Sequence, residues 1–413
     1  MMWWMLLGCS CSEPAVEAEA EGTTRAPVVA EPREDVLLIV IDTLRADALR
    51  SAQTPHLDTL DQRVQRAWSS GTWTVPSVVA LFTGAPVRQH GFDLPTGRIG
   101  KYPQLPALPT LAEVLKEQGF STTGLYSNTY LAEELGFGRG FDTWRRVSDK
   151  VMPKYWQQTL DDTWVEGQRD FAYLHLLGPH SPLRPSDARR EKYAVEPEWF
   201  EGRMGLEIGV AKRNRRPGAR TAYSNAYSAV IEDTDDLIGQ ILEALGERRD
   251  DTLIVVTSDH GELLGEHDTV GHGYWVWEGL THVPMRFEGH AGEVPDTLRL
   301  DQVASLVTWN AGIEQAWPSD WQAEGPLVSQ REGKLALSPD GTLKGVWHTE
   351  ALEVYDLAVD PTEEDPLPGR DATLQAARAA WEAEVPQAAT LELEVELEPE
   401  TMKGLEELGY IDK

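Results

Sequence analysis

The sequence predicts an α/β protein with a large, mainly parallel sheet flanked by helices and a smaller C-terminal α+β domain. Residues 36–41 form an unbroken apolar run, VLLIVI, which is typical of a strand buried on both faces of a parallel sheet. Predicted strands and helices then alternate through most of the chain. Beyond about residue 294 the segments become short and turn signals separate them, which indicates a second, smaller unit.

The individual elements follow from apolar periodicity and turn signals. Besides 36–41, strands are predicted at 121–126, 171–176 and 252–257, and helices at 57–67, 78–82, 108–118 and 222–245. Residues 334–337 and 342–347 flank a Pro-Asp-Gly turn and predict a β-hairpin. Residues 391–398, LELEVELE, alternate with a period of two and fit an edge strand, but Glu and Leu also favour a helix.

The length and the net charge of the chain restrict its domain organisation and its partners. A chain of 413 residues can hold one large domain and a small one, and we divide it into 1–34, 35–293 and 294–413. The net charge of −31 argues against a nucleic-acid partner, because no excess of Lys and Arg exists to neutralise phosphates. No stretch approaches the length of a transmembrane helix.

The N-terminus predicts export and lipid attachment. Its opening, MMWWMLLGCSCSEP, resembles a bacterial lipoprotein signal in which Cys9 carries the lipid, and residues 12–34 resemble a disordered spacer. The segment lacks an initial Lys or Arg and its apolar run is short, so an ordinary N-terminus and a misassigned start codon stay open. We expect a protein anchored by lipid in the cell envelope.

The stretch at 71–84, GTWTVPSVVALFTG, contains a candidate nucleophile. Pro76 suits a first helical position, since it lacks an N–H that would be unpaired there anyway. We therefore expect Thr74 just ahead of a helix N-terminus, where free N–H groups and the helix dipole favour a bound anion. A hydroxyl held there can attack a charged ester, although an isolated Thr of this kind is far more often a simple N-cap.

A candidate metal site follows from two strand ends. Asp42 comes directly after the strand at 36–41, and Asp259 and His260 come just after the strand at 252–257. Open α/β sheets bind ligands at the carboxyl ends of their strands, so these side chains and Thr74 form a candidate metal site. Oxygen ligands with one nitrogen suit Mg²⁺, Mn²⁺ or Ca²⁺, and Zn²⁺ is also compatible. Such an ion would favour the ionised form of the Thr74 hydroxyl.

Further histidines lie in stretches rich in Gly and Pro, which predict loops that line a site. They are His175 and His180 in YLHLLGPHSP, and His267 and His272 in GEHDTVGHG. Taken singly, each is explained more simply as a structural or surface histidine. As a cluster beside a metal site, they are candidates to stabilise the transferring oxyanion or to protonate the leaving group.

The chain resembles the sulfatase family of the alkaline phosphatase superfamily from residue 36 to about residue 287. The stretches that carry the resemblance are VLLIVIDTLRADAL, TPHLDTL, TVPSVVALFTG, RQHGF, LHLLGPHSP, TSDHGELLGEH and HVPM, with LEVYDLAVDPTEED and LEELGYI nearer the C-terminus. The resemblance implies an alkaline-phosphatase/sulfatase-like core, a divalent metal, and attack on a sulfate or phosphate ester through a covalent intermediate. It also implies that Asn128, His180 and His272 contact the substrate head group.

The chain departs from this family at the nucleophile. Sulfatases carry a Cys or Ser at the position of Thr74, which is converted to formylglycine, and an Arg at the position of Val78. Neither is present here, so no formylglycine is expected. Where the family has two successive aspartates at its first strand, this chain has Asp42 followed by Thr43. An unmodified Thr nucleophile is similar to the phosphate-transferring branch of the superfamily, which favours phosphodiester or phosphoryl chemistry over sulfate hydrolysis.

These observations predict a metal-dependent hydrolase or transferase that acts on an anionic ester of a small molecule, glycan or lipid, with Thr74 as nucleophile and His180 and His272 as further catalytic groups. The alternative is a catalytically inactive protein of the same fold that binds anionic glycans or lipid head groups, which the loss of Arg at Val78 favours. Retention of the whole predicted metal site opposes that alternative. A purely structural surface lipoprotein fits the anchor but not the site residues.

Overall fold

The computed structural model of the protein describes residues 32–93, 101–200, 216–349, 351–369, 371–388 and 394–408. The predicted signal segment and Cys9 therefore lie outside the described residues. Within these ranges, no helix is both long and apolar enough to cross a membrane.

The described secondary structure is extensive, and its elements are numbered here in chain order. The strands are β1 (Asp35–Ile41), β2 (Gln62–Arg63), β3 (Arg66–Trp68), β4 (Lys101–Pro103), β5 (Phe120–Tyr126), β6 (Thr143–Arg146), β7 (Arg169–Leu176), β8 (Thr252–Ser258), β9 (Leu263–Leu264), β10 (Val270–Gly271), β11 (His282–Val283), β12 (Met285–Glu288), β13 (Thr297–Arg299), β14 (Leu327–Arg331), β15 (Lys334–Ser338), β16 (Leu343–His348), β17 (Ala351–Asp356) and β18 (Glu394–Glu396). The helices are α1 (Thr74–Thr83), α2 (Val87–His90), α3 (Leu111–Glu117), α4 (Met152–Asp162), α5 (Asp187–Lys192), α6 (Ala219–Ala244), α7 (Glu278–Thr281), α8 (Val303–Asn310), α9 (Asp371–Glu384) and α10 (Pro399–Leu408).

The central sheet has seven strands in the order β2-β12-β8-β1-β7-β5-β6. Strand β1 lies between β8 and β7 and pairs with both in parallel, and β5 and β6 continue the parallel part. Only the β12 edge is antiparallel, with β2 beside it. The four strands predicted from apolar runs are all present, which confirms the predicted α/β class with a mainly parallel sheet.

Alternating side chains of β1 enter two separate cores, because successive residues of a strand point to opposite faces of the sheet. Val36, Leu38 and Val40 join the cluster that contains helices α1, α3 and α8. Leu37, Ile39 and Ile41 join the cluster that contains α4 and α6. Each buried aliphatic side chain contributes about 1.5–3 kcal/mol relative to exposure, so this strand is held firmly from both sides.

The helix predicted at 57–67 is wrong. The chain makes one 3₁₀ turn at Leu57–Thr59 and then extends through β2 and β3. Strand β2 pairs with β12 at the sheet edge, and β3 pairs with β11 and β13 in a small second sheet. Strand pairing and the complete burial of Trp68 outweigh a weak local helical preference, which tertiary contacts commonly override.

The other predicted helices are present with shifted ends. Helix α3 begins at Leu111 rather than residue 108, because Thr110 forms a capping box with Glu113: its hydroxyl accepts from the Glu113 N–H, and the Glu113 carboxylate accepts from the Thr110 N–H. Helix α6 runs over Ala219–Ala244 and packs on the face of the sheet opposite α1.

The C-terminal part contains a separate antiparallel sheet, β14-β15-β16-β17. The predicted hairpin is confirmed as β15 and β16, which pair with Leu335 opposite Trp347. Strand β13 and helix α8 follow residue 293 in the chain, yet they pack with the small second sheet and with the core under α1. Of the ambiguous stretch 391–398, residues 391–393 lie outside the described ranges, and Glu394–Glu396 form a strand that pairs with β4.

Candidate active site

The predicted carboxylates meet at the carboxyl edge of the central sheet. Ile41 pairs with Ser258 in the register of β1 and β8, so Asp42 and Asp259 leave neighbouring strands at the same level. The backbone N–H groups of Thr43 and His260 donate to Asp259 Oδ1 at 3.2 and 2.9 Å. These bonds hold one oxygen of Asp259 in place. Both aspartates are fully buried.

The four residues predicted to bind a metal lie together. His260 Nε2 is 3.5 Å from Asp42 Oδ1, 3.5 Å from Asp259 Oδ2 and 3.5 Å from Thr74 Oγ1. His260 is itself fully buried, and its Nδ1 lies 2.9 Å from the Gly261 carbonyl oxygen. That contact leaves Nε2 as the nitrogen that meets the carboxylates and the hydroxyl.

The electrostatics of this cluster fit a divalent cation. Asp42 Oδ1 and Asp259 Oδ2 are buried and have no hydrogen-bond partner among the described residues. Burial and then repulsion by Asp259 raise the pKa of Asp42 well above its usual value. Burial also disfavours the charged form of Asp259, but His260 and His175 outweigh it and lower its pKa to about 2. Two buried carboxylates without a counter-charge are costly, and a bound cation is the usual compensation.

Thr74 is the first residue of α1, with Trp73 as the extended residue before the helix. The sequence predicted Pro76 as the first helical residue, but the helix begins at Thr74, so Pro76 is the third. The whole helix is buried against the sheet. The Thr74 hydroxyl lies at the helix N-terminus, beside the carboxylate cluster, where the helix dipole favours negative charge.

Asn128 links the nucleophile candidate to the metal cluster. Its Nδ2 donates to Asp42 Oδ2 at 2.6 Å and to Thr74 Oγ1 at 3.1 Å. Its Oδ1 accepts from the Tyr130 N–H at 2.9 Å, which fixes the orientation of the amide. Asn128 therefore holds Thr74 and Asp42 directly, and its predicted contact with substrate stays a prediction.

Three histidine rings lie side by side next to the cluster. The ring centroids of His260 and His272 are 4.5 Å apart, and those of His272 and His180 are 5.0 Å apart. Burial lowers the pKa of His180 to about 3 and that of His272 to about 4. The structure thus brings both predicted catalytic histidines to the site, whereas His267 stacks on Trp277 at a centroid distance of 3.7 Å.

Sequence reasoning missed Glu262. Strands β9 and β10 pair with Leu263 opposite Gly271, and this register places the fully buried Glu262 next to His272. Glu262 Oε2 lies 3.1 Å from His272 Nδ1, and burial raises the pKa of Glu262 to about 7. When Glu262 is ionised its carboxylate only accepts hydrogen bonds, so in that form it favours the His272 tautomer with hydrogen on Nδ1. Its position in the SDHGEL stretch was the available signal.

The loop assignment of His175 is wrong. His175 lies within β7, where it pairs with Val40 of β1, and it is fully buried. Its Nε2 is 3.6 Å from Asp259 Oδ2, and one atom each of Asp42, His175 and Asp259 lie within 4.8 Å of one another. A buried strand can carry a histidine into a site as readily as a loop does, so Gly and Pro nearby were a misleading signal.

The C-terminal sheet contributes to the rim of the site. Arg331, the last residue of β14, is almost completely buried. Its Nε donates to the carbonyl oxygen of Gly273, it forms an ion pair with Asp93, and its guanidinium lies 5.5 Å from the Trp73 ring centroid. Arg331 thus packs against the residues next to both His272 and Thr74. Sequence reasoning missed this role because it depends on a contact between distant segments.

Val78 is fully buried in the apolar cluster under α1. The position at which the family pattern has an arginine therefore supplies core packing here and no positive charge to the site.

The fold and this edge define an α/β protein with a hydroxyl, two carboxylates and histidines gathered at the carboxyl ends of parallel strands. Residues 34–287 match the sulfatase family model, and the chain belongs to the sulfatase family. The match covers the central sheet except Glu288, the last residue of β12, and it includes every site residue described above except Arg331.

Individual relatives show how far this likeness extends. The chain is 32% identical to the choline-sulfatase of Rhizobium meliloti over 217 residues, which is 40% of this chain and 39% of that protein. It is 26% identical to the low-salt glycan biosynthesis sulfotransferase of Haloferax volcanii over 285 residues, which is 66% of this chain and 58% of the relative. The chain thus spans less than two thirds of the length of these relatives.

A solved structure supports the fold over nearly the whole chain. The phosphonate monoester hydrolase of Agrobacterium radiobacter superposes with a TM-score of 0.62 at 18% identity, covering 86% of this chain and 94% of that one. At this identity the likeness concerns the fold alone, and it extends the shared architecture beyond the central sheet.

Proposed function

We propose that the protein is a metal-dependent hydrolase or transferase of anionic esters, with the Thr74 hydroxyl as nucleophile. The observation that carries the proposal is the position of Thr74 Oγ1, which is 3.5 Å from His260 Nε2 and accepts a hydrogen bond from Asn128. A structural N-cap threonine needs none of these partners. Their convergence with Asp42 and Asp259 in one buried cluster favours the catalytic role.

The metal would be held by Asp42, Thr74, Asp259 and His260. Asp42 Oδ1 and Asp259 Oδ2 have no hydrogen-bond partner among the described residues, which fits a bound cation. A divalent ion supplies positive charge beside the Thr74 oxygen and the transferring group, which favours loss of the hydroxyl proton. Asn128 donates to Thr74 Oγ1 and so stabilises negative charge on that oxygen. Ca²⁺, Mg²⁺, Mn²⁺ and Zn²⁺ are all compatible with this donor set.

The reaction then follows from the positions of the side chains. The Thr74 hydroxyl loses its proton to solvent, and Oγ1 forms a bond to phosphorus or sulfur as the bond to the leaving alcohol breaks. The leaving oxygen takes its proton from water, beside His272 and His180, which lie next to His260 and which burial keeps uncharged at neutral pH. Water or an alcohol then attacks the threonine ester, which releases the acid or transfers the group.

We favour phosphate or phosphonate esters over sulfate esters, because position 74 offers no precursor for formylglycine. The named relatives divide between the two chemistries, with a choline-sulfatase on one side and a phosphonate monoester hydrolase on the other. The alcohol part of the substrate belongs to a small molecule, a glycan or a lipid.

We also propose that the protein is exported and anchored in the cell envelope by lipid on Cys9. The support is the N-terminal sequence alone: both cysteines of the chain lie there, next to a short apolar run and ahead of an Ala-, Glu- and Pro-rich spacer.

The test is a comparison of Thr74→Ala and Thr74→Ser on a panel of phosphate monoesters, phosphodiesters, phosphonates and sulfate esters with several divalent metals. Thr74→Ala should lose at least about 10³-fold in kcat, and Thr74→Ser should keep part of the rate because it keeps the oxygen. Acid quench during turnover should trap a modified Thr74 peptide in the wild type.

The matched control is Thr83→Ala, which truncates a buried threonine at the other end of the same helix, where its hydroxyl donates to the Val79 carbonyl. This variant should keep the wild-type rate. Undiminished turnover in Thr74→Ala would contradict the proposal and assign attack to water. A metal-loaded wild type that binds anionic glycans or head groups but turns over no ester would favour the inactive binding protein instead.

A further inference from the structure

His175 stands out because it is a polar side chain in the middle of the parallel sheet. It lies on β7 between β1 and β5, paired with Val40 on one side and Tyr126 on the other. Val40 and Tyr173 belong to the core on the face that α1 covers. Since paired residues and residues two apart on a strand share a face, the His175 imidazole points to the face that carries Thr74.

The imidazole of His175 is unsatisfied where it lies. The residue is fully buried, and neither Nδ1 nor Nε2 has a hydrogen-bond partner among the residues that the structure describes. A buried polar ring without a partner costs free energy, and a bound ion is one way in which a protein compensates such a group. The neighbouring carboxylate oxygens of Asp42 and Asp259 are unsatisfied in the same way.

The spacing between these atoms is that of metal ligands. A tetrahedral ion with bonds of about 2.1 Å holds its ligand atoms roughly 3.4 Å apart. His175 Nε2 is 3.6 Å from Asp259 Oδ2, and His260 Nε2 is 3.5 Å from the same oxygen. One ligand atom each of Asp42, His175 and Asp259 lie within 4.8 Å of one another, so small side-chain adjustments bring all three onto a single ion.

We propose that His175 is a further ligand of the divalent cation, and that its imidazole with that of His260 makes the site select a Zn²⁺-like transition ion over Ca²⁺ or Mg²⁺. Imidazole nitrogen suits Zn²⁺, Cu²⁺, Fe²⁺ and Ni²⁺, whereas Ca²⁺ and Mg²⁺ prefer sites built from oxygen alone. The oxygen atoms of the carboxylates and of Thr74 by themselves would favour Ca²⁺ or Mg²⁺, and two nitrogen ligands shift the metal preference towards Zn²⁺. The inference rests on the proposed function only in assigning the cation to this cluster.

The competing explanation places His175 outside the ligand shell, where it would donate a hydrogen bond to Asp259 and only orient that carboxylate. The two explanations differ in the number of imidazoles that contact the metal, so they are distinguished by spectroscopy and not by activity.

The experiment uses the full chain, stripped of metal with a chelator and reloaded with one equivalent of Zn²⁺. X-ray absorption should count two imidazole ligands in the wild type and one in His175→Ala. Titration calorimetry should show a loss of at least 100-fold in Zn²⁺ affinity for His175→Ala. His175→Asp, which replaces nitrogen by oxygen, should lower the ratio of Zn²⁺ to Ca²⁺ affinity by 10-fold or more.

His290→Ala is the matched control. His290 is also buried and contacts Asn310, but it follows β12 at Glu288, which pairs with Ile254 toward the amino end of β8. It therefore lies away from the carboxyl edge that holds the cluster, and its removal should leave Zn²⁺ affinity and the imidazole count unchanged.

A single imidazole in the wild-type spectrum would overturn the inference, as would a Zn²⁺ affinity of His175→Ala within threefold of the wild type. If His175→Ala fails to fold, the wild-type spectrum alone decides. Failure of the proposed function is recognised separately, because Thr74→Ala should keep both imidazoles while it loses turnover. Two imidazoles in a protein without turnover would support the metal inference and contradict the enzymatic proposal.

Discussion

The buried carboxylate pair leads to a prediction in which one substitution has opposite effects on stability with and without metal. Asp42→Asn keeps the shape of the side chain and an oxygen that can accept from Asn128 Nδ2. It removes one of two negative charges that face each other at the carboxyl edge of the sheet. Without metal the folded state should become more stable, and with metal it should become less stable than the metal-loaded wild type.

The size of the effect follows from the separation of the charges. Asp42 and Asp259 have oxygens within 4.8 Å of each other, and two unit charges at that distance repel by about 3.5 kcal/mol at an effective dielectric constant of 20. Protonation of Asp42 relieves part of this repulsion in the wild type, so we expect a gain of roughly 1–3 kcal/mol for metal-free Asp42→Asn. Metal at 100 times its Kd stabilises the wild type by about 2.7 kcal/mol, a term that the variant should lose.

The assay is thermal unfolding of both proteins at pH 7.5 and constant ionic strength, in chelator and in excess Zn²⁺ or Mn²⁺. Asp301→Asn is the control, because Asp301 is a fully buried carboxylate that is paired with Arg299. The Asp301→Asn variant should lose the same free energy of unfolding with metal and with chelator. If Asp42→Asn were destabilised equally with and without metal, the repulsion argument and the assignment of Asp42 as a ligand would both be refuted.

Three further predictions concern other parts of the chain. Glu262→Ala should lower kcat by roughly 10²-fold with little change in KM, because His272 loses the partner of its Nδ1, and Glu262→Gln should recover part of the rate in steady-state kinetics. Burial raises the pKa of Asp170 to about 7 and that of Asp35 to about 6. Between about pH 4 and pH 7 the folded state therefore keeps protons that the unfolded state has lost, and the free energy of unfolding falls as the pH rises. Asp170→Asn should therefore stabilise the protein by roughly 1–2 kcal/mol at pH 8 and by nothing at pH 3.5 in urea unfolding, and equal effects at both values would contradict this. Cys9→Ser should abolish partition into the membrane fraction if lipid on Cys9 is the anchor, and equal partition of both forms would reject it.

The core of the sheet was predictable because its signal is local. Strand β1 is apolar from Val36 to Ile41, and β7 and β8 have mostly apolar centres, as is common for strands buried on both faces. Strand β5 has a weaker signal, because it contains Thr122 and Thr123. The strand ends were predictable for the same reason, since Asp42 interrupts the apolar run just after β1. The two short strands β2 and β3 were not, because their conformation depends on partners that lie more than 200 residues away in the chain.

The residues of the candidate site also fall into those that the sequence could predict and those that it could not. Asp42, Thr74, Asp259 and His260 stand at strand and helix ends where a sequence pattern marks them. His175 and Glu262 are not placed in this way: His175 lies inside a strand, and Glu262, although it belongs to the SDHGEL stretch, meets His272 only through the pairing of the two short strands β9 and β10. Arg331 reaches the rim from a separate sheet.

The amino-acid sequence by itself therefore determined the class of fold, the positions of four main strands along the chain, the absence of a formylglycine precursor at Thr74 and the residue types available for a metal site. Only the tertiary structure decided which of these residues share one buried volume. Parallel pairing of β1 with β7 and β8 brings Asp42, His175 and Asp259 within 4.8 Å of one another across 218 residues of chain. The physical reason is that strand register is set by the packing of both sheet faces together, a condition that no single stretch of sequence contains.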